Sequence, residues 1–314
     1  LSVFFHLGDL KNYRCALFYS NPPVLPWIAS WAKKLFGCKL VFVSYDLYPE
    51  LALRTGALKT GSSVEKLMSH INKAVYPRLD RVVALSSEMK DFLQDNRAID
   101  PEKIAVIPNW YPDGGAPRRD LTGNRFAKDL GDKFVVSYFG NMGTIQDMET
   151  ILGAIRALKE ESDIFFLFAG HGNKLETLKQ AIAREKLPNA QVLEYLHGQD
   201  YRDALEISSA ALISLEAGTT GLCVPSKTYS YMMEGIPLLA IMDRCDIVAD
   251  IESGAGKAFH NGESDRLARE IRAMRDDPQA LQAMGDRCRK LFLQKYTPEV
   301  CLPQYVALFR ELLG

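Results

Sequence analysis

Short apolar runs alternate with longer stretches of helical periodicity along most of this chain, and few architectures accept that order. Residues 15–19, 39–43, 81–85 and 103–107 read as strands, separated by helices over 24–36, 64–79 and from Ser86 or Ser87 to about Gln94. The alternation resumes with strands at 134–139, 164–169, 191–195, 210–215, 237–241 and 257–259. Helices are expected between them at 147–159, 173–185, 200–207, 226–234 and 263–275, with two more over 278–313 that break at Thr297-Pro298. Strands alternating with helices of this length make βαβ units and parallel sheets. The fold class is therefore α/β, with two parallel-sheet domains in series. The stretch 112–132, rich in Pro, Gly and charge, reads as the linker between residues 1–111 and 133–297.

At 314 residues, 47% of them hydrophobic, the chain can supply two cores. Its 38 basic and 39 acidic residues nearly cancel, so no global field favours nucleic acid. Cysteines 15, 38, 223, 245, 288 and 301 form no C-x-x-C pair and have no His companion at metal spacing. They read as reduced thiols of a cytoplasmic protein. No apolar run approaches the ~20 residues of a membrane span, and nothing resembles a signal peptide.

In an open parallel sheet, ligands bind at the carboxyl ends of strands. Three glycine-bearing loops fall there: Phe139-Gly-Asn-Met-Gly143, Ala169-Gly-His-Gly-Asn173 and the stretch from Glu216 to Pro237, EAGTTGLCVPSKTYSYMMEGIP. In the last, a small-residue loop leads into a helix opened by Pro225-Ser226 and stopped at Gly235-Ile-Pro237. Such a junction gathers backbone N–H groups and a positive dipole end, an anion cradle. Lys227 in the first turn opposes the dipole by roughly 0.3–1 kcal/mol, which suggests a negative group beside it. Each loop alone is also compatible with an ordinary turn and a solvated lysine, and His171 with a loop histidine rather than a base. Together the three favour a nucleotide or diphosphate cleft.

These segments, with Asp46-Leu-Tyr-Pro-Glu50 and Ile107-Pro-Asn-Trp110, resemble in order and spacing the bacterial family 4 glycosyltransferases. Within them the chain looks closest to the branch of N-acetyl-fucosaminyl transferases of surface-polysaccharide synthesis. The resemblance implies a GT-B architecture, two Rossmann-like domains facing across a cleft. The N-terminal domain would take the acceptor, with a final helix over 298–314 packing back on it, and the C-terminal domain a nucleotide-sugar donor, UDP-linked. Gly140, Asn141, Met142 and Gly143 would lie near the donor diphosphate or sugar. Gly170, His171 and Gly172 would line the nucleotide side, and Leu196 and His197 would flank the base. Thr220, Gly221, Pro225, Ser226 and Lys227 would form the diphosphate end. Lys227 would be catalytic, since a fixed cation stabilises a leaving nucleoside diphosphate. No cofactor or metal is then called for, and no Asp-x-Asp signature is present; Asp147 and Asp203 read as helix-start acids. Tyr45 and Asp46 are candidates for the sugar pocket, also with catalytic roles.

Three departures qualify the carry-over. Two glutamates usual in the family fall here on Leu222 and Ser230; Glu234, four residues beyond Ser230 on the helical face of Lys227 and Tyr231, is a candidate substitute for the second. A histidine usual before the Asp of the Asp-Leu-Tyr-Pro segment is Tyr45. A full member begins with a strand, a glycine loop and a long helix before anything like Ala16–Ser20, so a preceding segment or a companion chain is expected to complete the N-terminal sheet. The expected activity is retaining, metal-independent transfer of a sugar to a saccharide acceptor, lipid-linked, at the cytoplasmic membrane face. Alternatives are a non-catalytic donor-binding subunit of a two-chain transferase, and an epimerase of the same fold using Glu216, His171 and His197. Trp27, Trp31, Lys33 and Lys34 could form a membrane-facing surface, but Trp27, Trp31 and Leu35 at spacing four fit a core-packed helix better.

Overall fold

The computed structural model describes residues 11–20, 25–115 and 120–314. The opening segment LSVFFHL, Asn21-Pro-Pro23 with Val24, and residues 116–119 of the Pro/Gly-rich stretch lie outside the described residues. The chain divides into two compact units. The first holds the residues up to Asn109, Thr219–Val224 and Glu299–Gly314; the second holds Trp110–Gly218 and Pro225–Pro298.

The first unit carries a parallel sheet of β1 (Cys15–Tyr19), β2 (Lys39–Ser44), β3 (Arg81–Ala84) and β4 (Ile104–Val106), in that spatial order. Leu40 to Ser44 of β2 are all buried, as expected of an inner strand covered on both faces, whereas β1 at the sheet edge is mostly accessible. Helices Leu25–Phe36, Ser63–Val75 and Ser87–Arg97 make the crossovers. Ser62 and Ser86 accept hydrogen bonds from Glu65 N and Met89 N, so both helix starts are capped by hydroxyls. The helix Pro298–Leu313 belongs to this unit through most of its length; Glu311 pairs with Arg81, and Arg14 donates to Leu313 O.

One expectation fails here. Trp27, Trp31 and Leu35 are 38%, 42% and 58% exposed, whereas Ile28, Ala29 and Ser30 are the buried side of helix Leu25–Phe36. A spacing of four defines a stripe but does not say which stripe meets the sheet; the smaller residues do. The two indole rings instead pack edge-to-face at 6.1 Å, with Lys34 Nζ 5.6 Å from the Trp31 ring.

The second unit carries a six-stranded parallel sheet: β5 (Phe134–Asn141), β6 (Ile164–His171), β7 (Ala190–Leu193), β8 (Ala210–Ser214), β9 (Leu238–Ile241) and β10 (Gly256–Phe259). Across the sheet they run β7-β6-β5-β8-β9-β10. The chain therefore starts in the middle, winds outward through β6 and β7, then returns to the other side of β5. That is the doubly wound order, and its topological switch point lies between β5 and β8. Val136, Tyr138, Phe166, Phe168, Leu212 and Leu239 build the core with Ile151 and Ile155 of helix Glu149–Ala157 and Leu267 and Ile271 of helix Ser264–Asp276. Short helices at Ala127–Leu130 and Asp246–Asp250 and a π turn at Ile251–Ala255 add to the expected elements. The Pro/Gly-rich stretch is fastened to this unit on both sides of residues 116–119. Asp113 pairs with Arg289 at 2.6 Å, and Asn124 donates to Asp203 O at 2.8 Å.

Candidate functional site

At the switch point the backbone dictates which loops a ligand can meet: those after β5 and after β8. β5 and β6 pair two residues further than their apolar runs suggest, through Gly140↔Gly170 and Asn141↔His171. This close approach explains two glycines. At Gly170 (φ +151°) an added Cβ would stand 1.9 Å from Gly140 O, and at Gly172 (φ +129°) 2.4 Å from Met142 O. The backbone of Gly140 and Met142 by itself requires glycine at both positions. Met142 N donates to His171 O at 2.7 Å, Met142 O accepts from Lys174 N at 2.9 Å, and the side chain is fully buried in the core. The Met142 side chain therefore serves the core. Gly143 N donates to Gln146 Oε1 at 2.8 Å, folding the loop back before helix Glu149–Ala157. Asn141 remains exposed.

Across the switch point, helix Lys227–Met233 begins beside the end of β5. Lys227 Nζ lies 2.9 Å from Tyr138 Oη, 4.3 Å from the centroid of the same ring and 3.5 Å from Asn141 O. Gly140 leaves this path open: a Cβ there would come 3.5 Å from Lys227 Cε. Ser226 precedes the helix with its side chain exposed and making no cap bond. Pro225 O accepts from Thr228 Oγ1 at 2.7 Å. Ser230 is buried; its Oγ donates to Lys227 O at 2.9 Å and lies 3.2 Å from Tyr201 Oη. Burial pushes the Tyr201 hydroxyl up to about 12. Tyr231, wholly buried, accepts from Phe139 N at 2.6 Å and so pins the end of β5 to this helix.

Glu234 does not join the group. It caps the far end of the seven-residue helix, about 10 Å away along the axis. There it lines a cavity of ≈ 340 Å³ with Ser209, Pro237 and Gly285, at the amino ends of β8 and β9. The ring of His171 lies 5.5 Å from that of Tyr195, and Tyr195 lies 4.5 Å from His197. All three are exposed, making an aromatic ledge past the carboxyl ends of β6 and β7, with Leu196 half-buried between the last two.

Sequence reasoning overlooked Lys174. Its Nζ donates to Gln146 O at 2.7 Å and to Glu216 Oε1 at 2.5 Å, tying the loops after β5, β6 and β8 together. A lysine just before a helix carries no pattern that separates it from a solvated one. Asp147 is a structural cap, accepting from Thr150 N at 3.0 Å and from Asn261 Nδ2 at 2.7 Å. Asp203 lies within helix Gly198–Glu206, where it accepts from Gln199 Nε2 at 2.6 Å and Arg125 N at 3.1 Å. The hydrogen bond from Gln199 holds its carboxyl below the usual range.

In the first unit, Ser20 Oγ accepts from both Tyr45 N and Asp46 N at 3.1 Å, which fixes the turn after β2. Leu47 N donates to Leu222 O at 2.9 Å. Tyr45 packs 5.5 Å from Tyr19, and burial, then the like-charged Tyr19 phenolate, raises the pKa of its hydroxyl. Asp46 lines a cavity of ≈ 280 Å³ with Ser20, Tyr48, Asn72 and apolar residues that include Phe42 and Met68. Thr220 and Gly221 also belong to this unit, and a Cβ on Gly221 (φ +81°) would sit 3.1 Å from Glu88 O. All six cysteines are free, and burial pushes the Cys223 thiol up to about 12. Among the described residues no group of three or more His, Cys, Asp or Glu could hold a metal, and no helix is long and apolar enough to cross a membrane.

Comparison with known proteins meets this geometry. The structure of Anabaena Alr3699/HepE in complex with UDP-glucose superposes with a TM-score of 0.79 at 16% identity, covering 98% of this chain and 82% of that one. The fold is GT-B. Residues 6–113 match the model described as Glycosyltransferase Family 4. A Pseudomonas aeruginosa protein, "Probable glycosyltransferase WbjE", is 28% identical over 303 residues, 94% of this chain and 74% of its own length. The "Phosphatidylinositol N-acetylglucosaminyltransferase GPI3 subunit" of Saccharomyces cerevisiae (strain RM11-1a) is 24% identical over 237 residues, 71% of this chain and half of that protein.

Proposed function

We propose that this GT-B chain is a glycosyltransferase that takes a sugar from a UDP-linked donor and passes it to a saccharide acceptor of surface-polysaccharide synthesis. The observation that carries the reading is the half-exposed Lys227 ammonium held over the end of β5 at the switch point. There a diphosphate would meet the ammonium beside Asn141 and Gly140, with Ser226 and Pro225 at its rim. The ledge of His171, Tyr195 and His197 would take the base. As the glycosidic bond breaks, negative charge gathers on the leaving UDP, and an ammonium already in place stabilises that charge without reorganising. Lys227 is thus the proposed catalytic cation, and transfer is proposed to be retaining and metal-independent. Similarity to WbjE and to a UDP-glucose-bound neighbour supports the reaction class and the donor. The family resemblance supports an N-acetylated aminosugar.

Tyr45 and Asp46 are proposed to serve the acceptor side in the first unit. A lipid-linked acceptor fits the same reading, as a curated relative is named for phosphatidylinositol. The exposed Trp27, Trp31 and Leu35 with Lys34 supply an aromatic and cationic surface for membrane contact. That relative is also named as a subunit, which favours a companion chain as the second reading.

Calorimetric titration of the full chain with UDP tests the central claim. Lys227→Ala is expected to weaken binding by about 1.5–3 kcal/mol, the size of a charge-assisted hydrogen bond. Unchanged affinity would sink the role of Lys227. Incubation with a panel of UDP-sugars, read as released UDP, then identifies the donor.

A further inference from the structure

A lysine in the first turn of a helix has no intrinsic reason to stay over a strand end. The helix dipole opposes it, and ordering its long side chain costs rotamer entropy. Something in the fold must hold it. We propose that Tyr138 is a positioning residue for the donor site, holding the Lys227 ammonium where a diphosphate would meet it; this rests on the reading of Lys227 given above.

The hydroxyl arithmetic supports this assignment. Tyr138 Oη lies 3.2 Å from Asn141 O, to which it donates its single proton. Its lone pair is then left to accept from Lys227 Nζ at 2.9 Å. The relay runs Lys227 N–H to Tyr138 O–H to Asn141 C=O. The ring adds a second hold, since Nζ stands 4.3 Å from its centroid, within cation–π range. Tyr138 is itself enclosed: wholly buried in β5, it packs at 6.3 Å from Phe168 of the neighbouring strand. Two residues on, Gly140 offers no side chain to displace the lysine stem. An ammonium has three N–H donors; one goes to Tyr138 and a second points at Asn141 O across 3.5 Å. The third remains for a ligand.

The test uses the full chain and two probes, UDP and uridine, the latter lacking the diphosphate. Tyr138→Phe keeps the ring and removes the relay. It is expected to lower UDP affinity about three- to tenfold, less than removal of the ammonium because the ring and Asn141 O still hold it, and to leave uridine affinity unchanged. In the Lys227→Ala background the same substitution should cost nothing further, because no ammonium is left to position. If Lys227→Ala weakens UDP but Tyr138→Phe does not, the positioning role is overturned while the Lys227 reading stands. If Lys227→Ala itself leaves UDP unaffected, the Lys227 reading falls, and the role of Tyr138 with it. Equal loss of UDP and uridine in Tyr138→Phe, with a lowered melting temperature, marks a merely structural tyrosine and also overturns the proposal.

Discussion

Gly170→Ala should be among the most damaging single-methyl additions in the second unit. The new Cβ would stand 1.9 Å from Gly140 O, where carbon and oxygen need more than 3 Å. Relief requires β5 and β6 to part by over 1 Å at a rung beside the 2.7 Å bond from Met142 N to His171 O. A ladder spaced at about 4.8 Å loses its hydrogen bonds when opened that far. Overpacking of this kind costs about 1–3 kcal/mol, and a side chain at φ +151° adds about 1–3 kcal/mol. At about 2–4 °C per kcal/mol for a unit of this size, a total near 4 kcal/mol lowers the melting temperature by about 8–16 °C. Gly262→Ala is the control. Its φ is +86°, but nothing lies within 4 Å of the new methyl, so only the conformational strain applies, about 1–2 kcal/mol or about 2–8 °C. Scanning calorimetry of both variants reads the difference. Equal shifts would refute the argument that the neighbouring strand, rather than backbone angle alone, requires glycine at 170.

Other outcomes follow from contacts already described. Met142→Leu should leave UDP affinity unchanged and cost less than about 1.5 kcal/mol in denaturant unfolding, because the side chain serves the core. Asp147→Ala removes the acceptor for Thr150 N and Asn261 Nδ2 in a buried setting and should destabilise by about 1–3 kcal/mol, measured by urea titration. Asp203 has its folded pKa held below the ordinary 3.8 by Gln199, so its stabilising effect is present above that value and lost as pH falls through the folded one. The melting-temperature gap between wild type and Asp203→Asn should therefore be open at pH 7 and close below about pH 3.8.

The strands were legible because inner strands of parallel sheets are near-continuous apolar runs, as Leu40 to Val43 and Ala210 to Ile213 illustrate. Their order across the sheet was not, since β5 pairs with β8 through Val136 and Ala210, far apart in the chain, and no local signal reports that. Lys227 could be singled out from its place in the stretch 216–237. Its partner Tyr138 could not, because a tyrosine inside a strand looks like any other core aromatic until the topology brings Lys227 over it. Glycines 170 and 172 were visible, but their reason was not: the pattern suggests a phosphate, and the structure supplies a neighbouring backbone. The stripe of Trp27, Trp31 and Leu35 lies on the exposed side of its helix, which a spacing of four cannot tell from the buried side.

The six residues Thr219–Val224 belong to the first unit although the chain on both sides belongs to the second. The polypeptide therefore changes allegiance at 109/110, 218/219, 224/225 and 298/299, and neither unit is one uninterrupted piece. A fragment cut from Trp110 to Pro298 would carry Leu222, which is 3% exposed in the whole chain, without Leu47, whose N–H it accepts. Exchanging the second unit between related chains would likewise need four splices rather than one. The excised hexapeptide has to travel with the first unit for either half to remain intact.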